Sequence, residues 1–213
     1  MRTINRVALP TVAVLALAGL SLPADAALKV TLDQGHVDVI GIAFEDGAFN
    51  LHIHDEEHGV EYAPSEVDLV AKPGSEIAVP DDPQYGFLGT PGSRAWVLPQ
   101  VQDPELLWPG IGAEEIQPGV FTDDALKVDV IGVTGPADLS VFTTDAFGTP
   151  TVLVDSGNGL PDRINTNAGG HLHANWAFEA AGTYKVKVKV CGTLAATGKA
   201  VSAVATYTFK VNQ

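Results

Sequence analysis

Between Thr183 and Val190 every second residue is apolar, with Lys185, Lys187 and Lys189 set between Val186, Val188 and Val190. That period of two puts one set of side chains on a core face and the other in water, as in a half-buried β-strand. The same alternation runs through Leu28–Leu32, His36–Phe44, Phe49–His54, Val67–Val70, Leu126–Val133, Leu139–Thr143 and Val204–Val211, each run bounded by Gly, Pro, Asp or Asn. No window of a dozen residues holds a capped 3.6-residue period, and 22 Gly with 14 Pro interrupt the chain at short intervals. Without helical crossovers to return the chain, the expected class is all-β: an antiparallel β-sandwich of immunoglobulin-like kind.

From Val79 to Asp124 the pattern breaks. Tyr85, Phe87, Trp96, Trp108 and Phe121 stand among Pro80, Pro83, Pro91, Pro99, Pro104, Pro109 and Pro118 with little alternation. This reads as a long Pro/Gly/aromatic-rich excursion covering one end of the sheets. The rival reading is a linker between β units at 27–79 and 125–213, but a free tether would leave two Trp in water. A single domain over 27–213 is therefore expected.

Residues 1–26 read as a signal peptide. Arg2 and Arg6 flank the apolar run Val7–Leu22, and Pro23-Ala24-Asp25-Ala26 supplies small residues for cleavage. The apolar run is short for a membrane span, and Thr206–Gln213 carries no sorting or anchoring pattern. A secreted or cell-surface product with no membrane span after cleavage is expected. The formal charge of −14 argues against nucleic acid and anionic lipid as partners. With one Cys there is no internal disulfide and no disulfide-linked partner is expected; Cys191, inside an alternating run, reads as a small buried apolar residue.

The six His fall in three places: Gly35-His36-Val37-Asp38, Leu51-His52-Ile53-His54-Asp55-Glu56-Glu57-His58, and His171-Leu172-His173-Ala174-Asn175-Trp176. Residues two apart on a strand share a face, so His52 with His54 and His171 with His173 make two imidazole pairs. Brought together, these would supply four nitrogen ligands, with His36 and Asp38 offering another His or a carboxylate. One H-x-H pair reads as strand histidines at a surface; two favour a metal.

Imidazoles with carboxylates and no thiolate suit Zn²⁺ first, with Cu, Mn, Ni and Fe as alternatives. His58, in an acidic turn ending at Gly59, reads equally as a mobile ligand or a solvated histidine. Asn175 is expected behind the ligands, fixing an imidazole tautomer, while Trp176 faces the core. Gly169-Gly170 suggest a bulge that aims the imidazoles, and Asp155–Asp162 reads as a turn rather than a calcium loop.

Over about Leu28 to Val211 the chain resembles the actinobacterial surface-anchored domain, also called the choice-of-anchor M domain. The resemblance is carried by Gly35-His36-Val37-Asp38-Val39, Tyr85-Gly86-Phe87-Leu88-Gly89, Trp96-Val97-Leu98-Pro99-Gln100, Leu106-Leu107-Trp108-Pro109-Gly110 and His171–Phe178 followed by Gly182-Thr183-Tyr184. Members of that family are exported, often anchored, and encoded with ABC transporters of the metal-uptake type. The resemblance thus implies extracellular metal capture, with the solute-binding component of an ABC metal transporter as partner and His36, His171 and His173 as the residues that carry over. The chain departs from it in showing no anchor and one domain copy.

Three functions compete. The first is a metal-binding protein that captures zinc and passes it to an importer. The second is a metalloenzyme such as a zinc hydrolase with Glu56 or Glu57 as base, but no H-E-x-x-H or nucleophile constellation accompanies it. The third is an adhesive or structural sandwich in which a metal pins two sheets.

Overall fold

The computed structural model describes residues 29–213, and the signal peptide read at 1–26 lies outside them. The described residues are almost entirely strands and turns arranged in three sheets, mostly antiparallel. This is the all-β, sandwich-like class that the alternation predicts, although an immunoglobulin sandwich has two sheets where the described residues form three. Among the described residues no helix is long and apolar enough to cross a membrane.

The largest sheet runs β1 (Val30–Leu32), β5 (Val67–Ala71), β16 (Ala200–Val211), β15 (Gly182–Leu194), β9 (Phe121–Thr134) and β12 (Asp162–Asn167). A second runs β11 (Pro150–Asp155), β10 (Leu139–Thr144), β14 (Asn175–Phe178), β7 (Arg94–Leu98) and β6 (Glu76–Ala78). The third, which bears the histidines, runs β13 (His171–His173), β8 (Leu107–Gly112), β2 (Gly35–Glu45), β3 (Ala48–Asp55) and β4 (Val60–Tyr62).

The lysines of β15 face outward and Val186, Val188 and Val190 are buried, as the alternation requires. The same period corrects the reading of Cys191. It falls in phase with the lysines rather than the valines, and it is half-buried.

Strict antiparallel pairing does not hold. β1 with β5, β5 with β16, and β2 with β8 are parallel. Here the crossovers are made by other strands and loops instead of helices, so lack of helical signal does not forbid parallel neighbours. The Pro-rich stretch is also more regular than expected. It supplies β7 to one sheet and β8 to an inner position of another, so it is woven through the structure rather than draped over its end.

All three sheets feed one core. Ile40 and Ile53 from the histidine sheet, Leu69, Val188 and Phe209 from the largest, and Trp96, Val141 and Trp176 from the second belong to the same buried cluster. Trp176 stacks on Phe209 at 5.2 Å across two of the sheets. A smaller cluster of Val79, Leu88, Ala95, Phe142 and Ala177, with Tyr85 and Phe87 packed on it, is covered by the 3₁₀ turn Pro83–Leu88.

Candidate metal centre

The hairpin of β2 and β3 turns at Asp46-Gly47, where both residues have positive φ, 50° and 80°. An Asp-Gly pair takes this conformation readily, and its twist matches that of the flanking strands. The turn fixes the register that lays β3 against β2, pairing Asp38 with His54 and Gly41 with His52.

Two rows of side chains follow from the pairing of the five strands. One crosses Glu61, His54, Asp38, Gly110 and His173; the next crosses His52, Gly41, Gly112 and His171. Asp38 and Gly41 are three apart, yet a β-bulge after Asp38 keeps both in register with successive rows, and Val39 and Ile40 both enter the core. Beside the first row, His36 pairs with Trp108 and its carbonyl accepts from the Glu56 amide at 3.1 Å.

The glycines form the floor of this face. A Cβ on Gly110 would run into Asp38 Oδ1 and stand 2.7 Å from His171 Nε2; one on Gly112 would run into Asp38 Oδ2 and stand 2.7 Å from Glu114 Oε2. A Cβ on Gly41 would occupy the space of the His52 imidazole. The backbone itself therefore makes the room in which these polar groups converge.

His36 Nε2 and His171 Nε2 are 3.3 Å apart, and Asp38 Oδ1 lies 2.9 Å from His171 Nε2 and 3.5 Å from His36 Nε2. Metal–nitrogen bonds of about 2.0–2.1 Å place two tetrahedral ligand atoms about 3.3 Å apart, so these three atoms have the spacing of neighbouring ligands. His173 completes a three-histidine group with His36 and His171.

The protons are arranged to match. His173 Nδ1 donates to the Pro109 carbonyl at 2.9 Å, and a carbonyl can only accept, so Nε2 keeps its lone pair. The Glu114 carboxylate sits against Nδ1 of His171 in the same way, leaving Nε2 free toward His36. Burial, with the neighbouring imidazoles also opposing charge, lowers His36 below the usual histidine value and pushes His173 down to about 4. Both rings are therefore neutral at pH 7, as ligands must be.

Asp38 is the complement. It is 2% exposed, its Oδ1 has no aligned hydrogen-bond donor among the described residues, and burial raises its pKa to about 6 against the attraction of His171. A desolvated carboxyl without an aligned donor calls for a cation, and the donor set fits a borderline divalent ion. His173 is held from behind by Trp108, stacked at 3.7 Å and 7°.

The structure redistributes the residues read from the sequence. His36, His171 and His173 come together with Asp38, but His52 and His54 do not join them as one four-nitrogen site. His54 Nδ1 lies 2.8 Å from Glu56 in a group with Asp38, and His52 Nε2 lies 3.1 Å from Glu115 in a group with Glu61. The four imidazoles are spread over β3 and β13, with β2 and β8 lying between these strands.

His58 is not at the centre. Its largely exposed ring binds Asp55 Oδ2 at 2.8 Å within its own turn. Asn175 also departs from expectation. The chain changes sheets at buried Ala174, so Asn175 begins β14 and does not continue the face of His171 and His173. It accepts from the Gln100 amide at 2.8 Å, and the Gln100 carbonyl in turn accepts from Trp108 Nε1 at 2.8 Å, so its link to His173 runs through Trp108.

Sequence reasoning missed Glu114, Glu115, Glu61 and the role of Trp108. A signal was present in Trp108-Pro109-Gly110-Ile111-Gly112, where glycine at alternate positions empties one face of a strand just before Glu114-Glu115.

Comparison with protein-family models, with curated proteins and with solved structures finds no match. The site is therefore read from its own geometry.

Proposed function

We propose that this chain is an exported metal-binding protein that captures zinc reversibly and hands it to the solute-binding component of an ABC metal importer. The observation that carries the reading is the convergence of His36 Nε2, His171 Nε2 and the buried Asp38 Oδ1 at ligand spacing, with His173 beside them. Neutral imidazoles and a carboxylate without thiolate favour Zn²⁺ over softer ions.

Reversibility is supported by where the ligands stand. His36 and His173 are only partly buried and His171 is exposed, and Glu56 and Glu114 flank them with carboxylates that can take the ion in transit. Every ligand belongs to one sheet, so an ion there does not tie two sheets together, which weighs against a pinning role. Glu56 is engaged by His54, which weighs against a free catalytic base. Export and the importer partner rest on the residue 1–26 pattern and on the family resemblance.

The test is calorimetric titration of the chelator-stripped protein with Zn²⁺, with circular dichroism recorded before and after. Tight binding by an already folded chain, followed by transfer of the ion to such a solute-binding component faster than it dissociates into buffer, is expected. A chain that folds only with metal, or that binds none, would overturn the reading.

A further inference from the structure

His52 is not used by the three-histidine centre, yet it is among the most unusual groups on this face. It is 3% exposed, and neither ring nitrogen has a hydrogen-bond partner among the described residues. A buried imidazole normally satisfies at least one nitrogen, since polar atoms left dry and unpaired destabilise the fold. The ring is seated over Gly41, where a Cβ would collide with Nε2, so the backbone has been cleared to admit it.

The residue lines a cleft of about 300 Å³ together with Asp38, His54, Glu56, Glu114 and Glu115. Two carboxylates approach the His52 ring from different elements. Glu115 comes from the turn after β8, with Oε1 3.1 Å from Nε2 but not aligned to accept its proton. Glu61 comes from β4, on the row next to His52, and the ligand atoms of the three residues lie within 4.8 Å of one another.

We propose that His52, Glu61 and Glu115 form a second divalent-cation site. It shares no ligand with the centre of His36, His171, His173 and Asp38, so the two stand or fall separately. One imidazole with two carboxylates takes borderline and hard divalent ions, Zn²⁺ and Mn²⁺ among them, and leaves further positions to water. With one nitrogen ligand and two exposed carboxylates, it holds zinc at least tenfold more weakly than the three-histidine centre. His52 and Glu115 line the cleft that Asp38 also borders, so the site gives an arriving or departing ion a holding point one strand away from the main centre.

The experiment is a Zn²⁺ titration of the full chain with Zn²⁺ alone as probe, followed by calorimetry and by ¹⁵N NMR of the imidazole nitrogens. Two steps are expected, the weaker one moving the His52 ring signals. Glu61→Gln with Glu115→Gln alters only exposed residues, and should remove the weaker step and the His52 response while the tighter step persists. A His52 response retained in His36→Ala/His171→Ala would uphold this site even if the main centre failed. A single step that leaves His52 unmoved, or a His52 response unchanged in Glu61→Gln/Glu115→Gln, would overturn it.

Discussion

The Nε2 atoms of His36 and His171 lie 3.3 Å apart although 135 residues separate them in the chain. β8 mediates the approach, pairing in parallel with β2 on one side and antiparallel with β13 on the other. Two glycines at alternate positions of β8 leave the space between the imidazoles open. The candidate metal centre is thus a property of strand order, and its chemistry can be tested one residue at a time.

Replacing His171 and His173 together by Ala should abolish tight zinc binding, with affinity down at least 100-fold, while the far-ultraviolet dichroism of the sheets is unchanged. His171 is exposed and His173 only partly buried, so their loss empties a face instead of a core. Stoichiometric tight binding retained in this variant would refute the site.

Asp38→Asn should move stability and affinity in opposite directions. The isosteric amide removes a charge that burial disfavours, so the metal-free protein gains about 1–2 kcal/mol at pH 7.5, or a few degrees in Tm. Zinc binding should weaken at least tenfold, because the anionic ligand is gone. Thermal denaturation with and without zinc reads both effects.

Glu114→Gln should weaken zinc binding by about 10–100-fold with little change in Tm. Glu114 is exposed and holds the proton on Nδ1 of His171, and the loss of such a carboxylate behind a ligating imidazole typically costs that much. Calorimetry at constant pH measures it.

Gly110→Ala should damage both the fold and the site. The new Cβ would coincide with the Asp38 carboxyl and crowd His171, and displacing buried groups in a packed sheet costs about 1–3 kcal/mol. A lower Tm in the metal-free state, with weakened zinc binding, is the expected pair of readings.

Acid should release the metal. Binding needs Asp38 ionised, and its pKa of about 6 means that protonation competes as pH falls through that value. In the metal-free protein the folded-state histidine values are depressed, so the contribution of His36 and His173 to stability is full above the unfolded value near 6.5. It is lost as pH falls below that value, toward about 4 for His173. Asp38 acts oppositely, favouring the fold while protonated and ceasing to as pH rises through about 6. The slope of Tm against pH between 4 and 6.5 should therefore be steeper in Asp38→Asn than in the parent chain.

The all-β class was legible because alternation is local: a period of two over Thr183–Val190 states which face is wet whatever the strand later pairs with. The same locality let His52 with His54, and His171 with His173, be read as pairs sharing a face, since spacing on one strand decides that; which pair meets His36 it did not decide. It misled for Asn175, because a chain that leaves one sheet for another at Ala174 no longer keeps the alternation of the strand before it.

Sequence alone therefore determined the strands, their wet and buried faces, and the kind of atom offered to a metal. Tertiary structure decided which of those atoms meet. The bulge after Asp38 reset the register of β2, the parallel entry of β8 set Gly110 and Gly112 between β2 and β13, and the turn after β8 brought in Glu114 and Glu115. Strand order and register depend on contacts between distant segments, whose closure is governed by the whole core, and no local period in the chain encodes them.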